Sequence, residues 1–89
     1  MAAPTGSAAS LPAQIEARLR AALADAAIEL RDTTGGGDHL ALTVVSASFH
    51  GKNPVERHRL VYAALGELMR GPIHALALTT ETPEEYKRT

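Results

Sequence analysis

The sequence has no cysteine and no tryptophan, one phenylalanine and two tyrosines. Without cysteine it has no disulfide, no thiolate metal site and no sulfur nucleophile of its own. Any metal must be held by histidine, by carboxylates or by another chain. Few aromatics mean a core built from Ala, Leu and Val. Neither charge sign dominates: the formal net charge is -1. A general nucleic-acid binder, whose affinity comes from neutralising phosphates, is disfavoured, though a local basic patch is not. No apolar run approaches membrane-spanning length. Residues 1–10 contain no basic residue and no apolar signal core, so no signal peptide is expected there and a cytoplasmic location is.

What is present fits one small domain of 89 residues. Residues 1–10 read as a flexible tail and 11–89 as the domain. Ser10 can cap a helix that tolerates Pro12 in its first turn. Leu11, Ile15, Leu19 and Leu23 then recur every fourth residue, predicting a helix to about Asp25. Residues 27–32 alternate apolar and charged, as a half-buried strand does. Residues 33–38 read as a flexible glycine turn with no hydrophobic anchor. Residues 39–49 are β-rich with apolar side chains on both faces, predicting a central strand paired in an antiparallel hairpin.

Pro54 can open a helix that runs to about Arg70 with Val61, Ala64, Leu65 and Leu68 as its apolar stripe. Gly71-Pro72 stops it. Residues 73–80 then form a third strand, parallel to the second because a helix intervenes. Thr82 and Glu85 have the spacing of a capping box for a short last helix, with Tyr86 docking it on the sheet. The order is α-β-β-α-β-α, an α+β fold with a three-stranded mixed sheet and helices on one face.

Chemistry is sparse. No Ser-His-Asp spacing, phosphate loop or His-Glu-x-x-His occurs. Gly35-Gly36-Gly37 joins two strands, which is not a nucleotide fingerprint. An enzyme is not expected. By helical projection His58 falls on the side of Val61 and Leu65, a histidine at the core's edge. Arg57 and Arg59 read as solvated or partner-facing. His50 reads as a solvated loop residue. Asp38 and His39 end the glycine turn; their side chains point to opposite faces if the strand is regular. His74 follows the Gly-Pro stop, and pattern alone leaves a metal ligand and an ordinary strand-end histidine equally open.

Five segments in register resemble the BolA family. They are Val44-Val45-Ser46, Phe49-x-Gly51, Arg57-His58-Arg59-Leu60-Val61-Tyr62-x-x-Leu65, Ile73-His74-Ala75-Leu76 and Thr82-Pro83-Glu84-Glu85-Tyr86. The resemblance implies the BolA fold, similar to the type II KH domain. It also implies a monothiol (CGFS) glutaredoxin as partner, sharing a 2Fe–2S cluster whose sulfur ligands come from the glutaredoxin and glutathione. The BolA histidine would be His74. The family's second ligand, Cys or His, lies in the loop between the first two strands. Here the cysteine position falls near Gly36, and His39 is the nearby nitrogen donor, so His39 is the candidate. Alone, the chain would hold no cluster and be a monomer or weak homodimer. The alternative the family suggests is a KH-like DNA- or RNA-binding transcriptional regulator using Lys52, Arg57 and Arg59. That reading lacks the Gly-x-x-Gly clamp of KH domains.

Overall fold

The computed structural model describes residues 10–37 and 39–88; residues 1–9 of the expected tail (1–10), Asp38 and Thr89 lie outside the described residues. Helix α1 spans Leu11–Ala22, with the Ser10 hydroxyl accepting from the Ala13 N–H at 3.3 Å. Its buried face carries Ile15 and Leu19. It stops three residues short of the expected end because Leu23 leaves helical geometry (φ -131°, ψ 89°). Asp25 is thereby freed to cap another element. Its Oδ1 accepts from Ser46 Oγ at 2.6 Å and its Oδ2 from the Ala47 N–H at 2.8 Å. These two donors hold the carboxyl below its ordinary pKa.

Strands β1 (Ala27–Asp32) and β2 (His39–Val45) pair antiparallel, and β3 (Ala75–Glu81) lies parallel to β2 at the other edge. The register stacks Leu30 against Leu42 and Leu42 against Leu78, so one face of the sheet is aliphatic across all three strands. Strand β2 ends at Val45, not at Phe49. Ser46 turns the chain, its Oγ accepting from the Ser48 N–H at 3.1 Å, and residues Ala47–Phe49 form a single 3-10 turn. Phe49 still reaches the core, but from that turn.

Helix α2 covers Pro54–Leu65. A capping box starts it: Asn53 Oδ1 accepts from the Glu56 N–H at 2.8 Å, and Glu56 Oε1 accepts from the Asn53 N–H at 2.9 Å. The α-helix ends at Gly66, whose φ of 55° and ψ of -126° no β-carbon-bearing residue adopts without strain. The expected run to Arg70 is completed as a 3-10 segment, Gly66–Arg70. Arg18 of α1 closes over this break, donating to the Leu65 carbonyl at 3.2 Å and to Glu67 Oε1 at 3.1 Å. Ile73 is buried as an anchor before the strand, which begins at Ala75.

Helices α1 and α2 pack their buried residues on the aliphatic face of the sheet, joined by Phe49, Leu68 and Ile73 in one core. Each fully buried Leu, Ile or Phe contributes roughly 1.5–3 kcal/mol. Helix α3 (Pro83–Arg88) is different: none of its residues is buried. Thr82 and Glu85 cap it as expected, each side chain accepting the other's N–H at 3.2 and 2.8 Å. Tyr86 donates its hydroxyl to Glu29 Oε2 at 2.9 Å. By strand alternation Glu29 faces away from Ile28 and Leu30. Tyr86 therefore ties α3 to the edge strand β1. Among the described residues no helix is long and apolar enough to cross a membrane.

Candidate metal centre at one end of the sheet

The parallel register of β2 and β3 sets His39 opposite Ala75. His74 is the next residue toward the N-terminus of β3. His74 precedes the regular strand and is not bound by its alternation, and the two imidazoles meet with ring centres 6.0 Å apart and planes tilted by 52°. An imidazole bound through one nitrogen at about 2 Å has its centre about 3.2 Å from the metal, so two rings on one ion stand up to about 6.4 Å apart. The observed separation lies inside that bound and is wider than the about 5.2 Å of two rings on a tetrahedral ion, so a small closing movement would bring both onto one metal. Among the described residues no group of three or more His, Cys, Asp or Glu side chains gathers around an ion. This chain thus offers two nitrogen donors.

The elements behind the pair are well tied. The His39 carbonyl accepts from the Thr33 N–H at 2.9 Å and from Thr33 Oγ1 at 3.0 Å. The preceding turn, expected to be flexible for want of a hydrophobic anchor, is organised by a polar one, Asp32. Asp32 Oδ1 accepts from the N–H groups of Thr34 (3.1 Å) and Gly35 (2.8 Å), and Oδ2 from Gly37 (2.8 Å). Gly35 and Gly37 both have positive φ, which lets the turn wrap the carboxylate. The Gly35 N–H, followed by that of Thr34, holds the Asp32 carboxyl below its ordinary pKa. Beside the histidines lies an open depression of about 410 Å³, lined by Thr33, Thr34, His39, Leu40, Ala75 and Leu76 among others. Its walls are mainly apolar, a surface suited to burial against a second protein.

A family model described as "BolA-like protein" matches residues 15–85. This chain belongs to the BolA family. It is 43% identical over 91 residues to BolA-like protein 1 of Mus musculus, covering 92% of this chain and 66% of that protein. It thus spans about two thirds of that relative's length. The solution structure of BolA1 from Mus musculus superposes with a TM-score of 0.77 at 40% identity, over 99% of this chain and 79% of that one. The DNA-binding transcriptional regulator BolA of Escherichia coli (strain K12) is 35% identical over 81 residues, covering 83% of this chain and 77% of that protein.

The remaining candidates on this BolA chain separate into two groups. Lys52 and Arg59 lie together, lining a surface depression of about 260 Å³ with Glu56 and Leu60. Arg57 does not join them. Its Nε donates to the Lys52 carbonyl at 2.8 Å, and its Nη1 and Nη2 reach the two Glu85 oxygens at 2.7 and 3.4 Å. Its side chain is 13% exposed and its guanidinium stands 5.9 Å from the centre of the Phe49 ring. The partner-facing surface expected for Arg57 is thus corrected: the ion pair directs it inward, to fasten α3 to α2. The Arg57 guanidinium, with the Thr82 N–H second, pulls the Glu85 carboxyl down to about 2. His58 is half-buried, with its ring edge-on to Tyr62 at 6.3 Å. His50 is exposed but not merely solvated, since its Nε2 lies 2.8 Å from Glu84 Oε1.

The residue that sequence reasoning missed is Asp32. Its signal was present, because an Asp followed by Thr-Thr-Gly invites side-chain bonding to the backbone of its own turn.

Proposed function

We infer that this BolA-family chain is a non-enzymatic adaptor that pairs with a monothiol CGFS glutaredoxin and shares a 2Fe–2S cluster with it. The observation that carries this reading is the His39–His74 pair, with ring centres 6.0 Å apart at an open end of the sheet. In it, His74 and His39 supply the nitrogen ligands, while the partner and glutathione supply the sulfur. Thr33 holds the His39 backbone, and the apolar depression beside the pair seats the partner and excludes water from the ligands. Histidine ligation raises a cluster's potential relative to cysteine alone, which suits transfer or iron sensing rather than storage. A reducing compartment such as the cytoplasm keeps the partner's thiolate available.

The test is reconstitution with iron and sulfide in the presence of a CGFS glutaredoxin, followed by visible circular dichroism. Addition of this chain should change the glutaredoxin's cluster spectrum, and His74→Ala should abolish that change. A spectrum indifferent to the chain, or to His74→Ala, refutes the reading. DNA binding, suggested by the name of the Escherichia coli relative, is the competing outcome. It has less surface to work with, since Arg57 is neutralised by Glu85 and Glu56 stands beside Lys52 and Arg59. Tight, steeply salt-dependent binding to a defined duplex would favour it.

A further inference from the structure

His39 is the first residue of β2, where strand pairing is weakest. The turn before it contains three consecutive glycines, Gly35-Gly36-Gly37, whose conformational freedom opposes order. Yet the His39 ring faces His74. Something must hold the turn closed, and the bonding pattern identifies it. The two Asp32 oxygens gather three N–H groups from the turn, at 3.1, 2.8 and 2.8 Å. Immediately behind them, Thr33 grips the His39 carbonyl twice, through its N–H at 2.9 Å and its hydroxyl at 3.0 Å. Asp32 is also the last residue of β1, paired with Leu40. Its backbone is fixed by the sheet while its side chain fixes the turn. The carboxylate is therefore the link between the rigid part of the hairpin and the ligand at its tip.

We propose that Asp32 is a positioning residue for His39: its carboxylate clamps the glycine turn so that His39 stands beside His74 as the second metal donor. This deepens the cluster-sharing reading and rests on it for the identity of the metal. The role is specific to a carboxylate. Asparagine keeps one oxygen acceptor but replaces the other with a donor, which must then confront an N–H of the turn. An exposed side chain at a strand end carries little of the core, so Asp32→Asn should leave the fold intact.

Three measurements decide it. In the isolated chain, Asp32→Asn should speed amide exchange at Gly35 and Gly37 by about tenfold, as loss of a charge-assisted hydrogen bond implies. In the glutaredoxin complex, Asp32→Asn should give the cluster spectrum of His39→Ala, and should add nothing to it in the double variant. With Ni²⁺ alone and no glutaredoxin, broadening of the His39 and His74 ring signals should require about threefold more metal in Asp32→Asn than in the parent, and show no Asp32 dependence in His39→Ala. A purely structural role would weaken the His39→Ala background as much as the parent. That result overturns the proposal, as does a parental spectrum and nickel affinity in Asp32→Asn. A cluster spectrum unchanged by His74→Ala refutes the cluster reading instead, and the nickel titration still decides for or against Asp32.

Discussion

Phe49→Ala tests whether the core extends beyond the sheet and its two helices. Phe49 is the chain's only phenylalanine, and its side chain is fully buried although it sits on a single 3-10 turn. Truncating a buried Phe to Ala costs about 3–5 kcal/mol in lost transfer energy and residual cavity. An 89-residue domain, at roughly 0.05–0.15 kcal/mol per residue, has about 4–13 kcal/mol in all. Phe49→Ala should thus remove about a fifth or more of the stability and can unfold a domain at the lower limit. At about 4–8 °C per kcal/mol, the thermal midpoint should fall by at least about 12 °C. The assay is urea denaturation followed by far-UV circular dichroism, with His74→Ala as control. His74 is exposed, so its removal should change stability by no more than about 0.5 kcal/mol. A loss below about 1 kcal/mol for Phe49→Ala would show that the ring does not serve the core, and that the turn is peripheral.

Two further outcomes follow from local geometry. The folded state holds the Glu85 carboxyl at about 2, below its ordinary value of 4.5. Its contribution to stability is therefore fully present above pH 4.5 and is lost as pH falls from there toward 2. Urea midpoints measured across that window should decline less steeply for Glu85→Gln than for the parent, and parallel curves would refute the assignment. Gly66→Ala should cost about 1–3 kcal/mol in the same assay, because it forces a side chain into a left-handed backbone. The new Cβ would also stand 3.2 Å from Arg18 Nη1. A neutral result would mean that the junction between α2 and its 3-10 continuation relaxes freely.

Periodicity made the frame legible. The fourth-residue spacing of Ile15 and Leu19, the alternation of residues 27–32 and the helix between the last two strands were enough to give the order and the mixed sheet. The errors arose where a polar side chain, not hydrophobicity, sets the boundary. Phe49 extends an apolar run, so the run looked like strand; Ser46 and Asp25 end it through hydrogen bonds that pattern does not register. At the site, pattern left His74 undecided and the family resemblance weighted it. Its proximity to His39 depends on strand register, which a single sequence does not display across 35 residues. The inward turn of Arg57 was hidden for the same reason, since Glu85 is 28 positions away.

Helix α3 buries no residue, and its side chains are fastened through Arg57–Glu85, His50–Glu84 and Tyr86–Glu29. Burial of aliphatic side chains is nearly indifferent to dissolved ions, whereas exposed charges are screened over a Debye length of about 8–10 Å near physiological ionic strength. Salt therefore acts unevenly on this molecule. Among these fastenings the Arg57–Glu85 ion pair, its arginine sheltered and its carboxylate exposed, is the one that dissolved ions weaken. Fraying of the chain's last helix then begins at the ionic strength of the surroundings rather than at the temperature that melts the core.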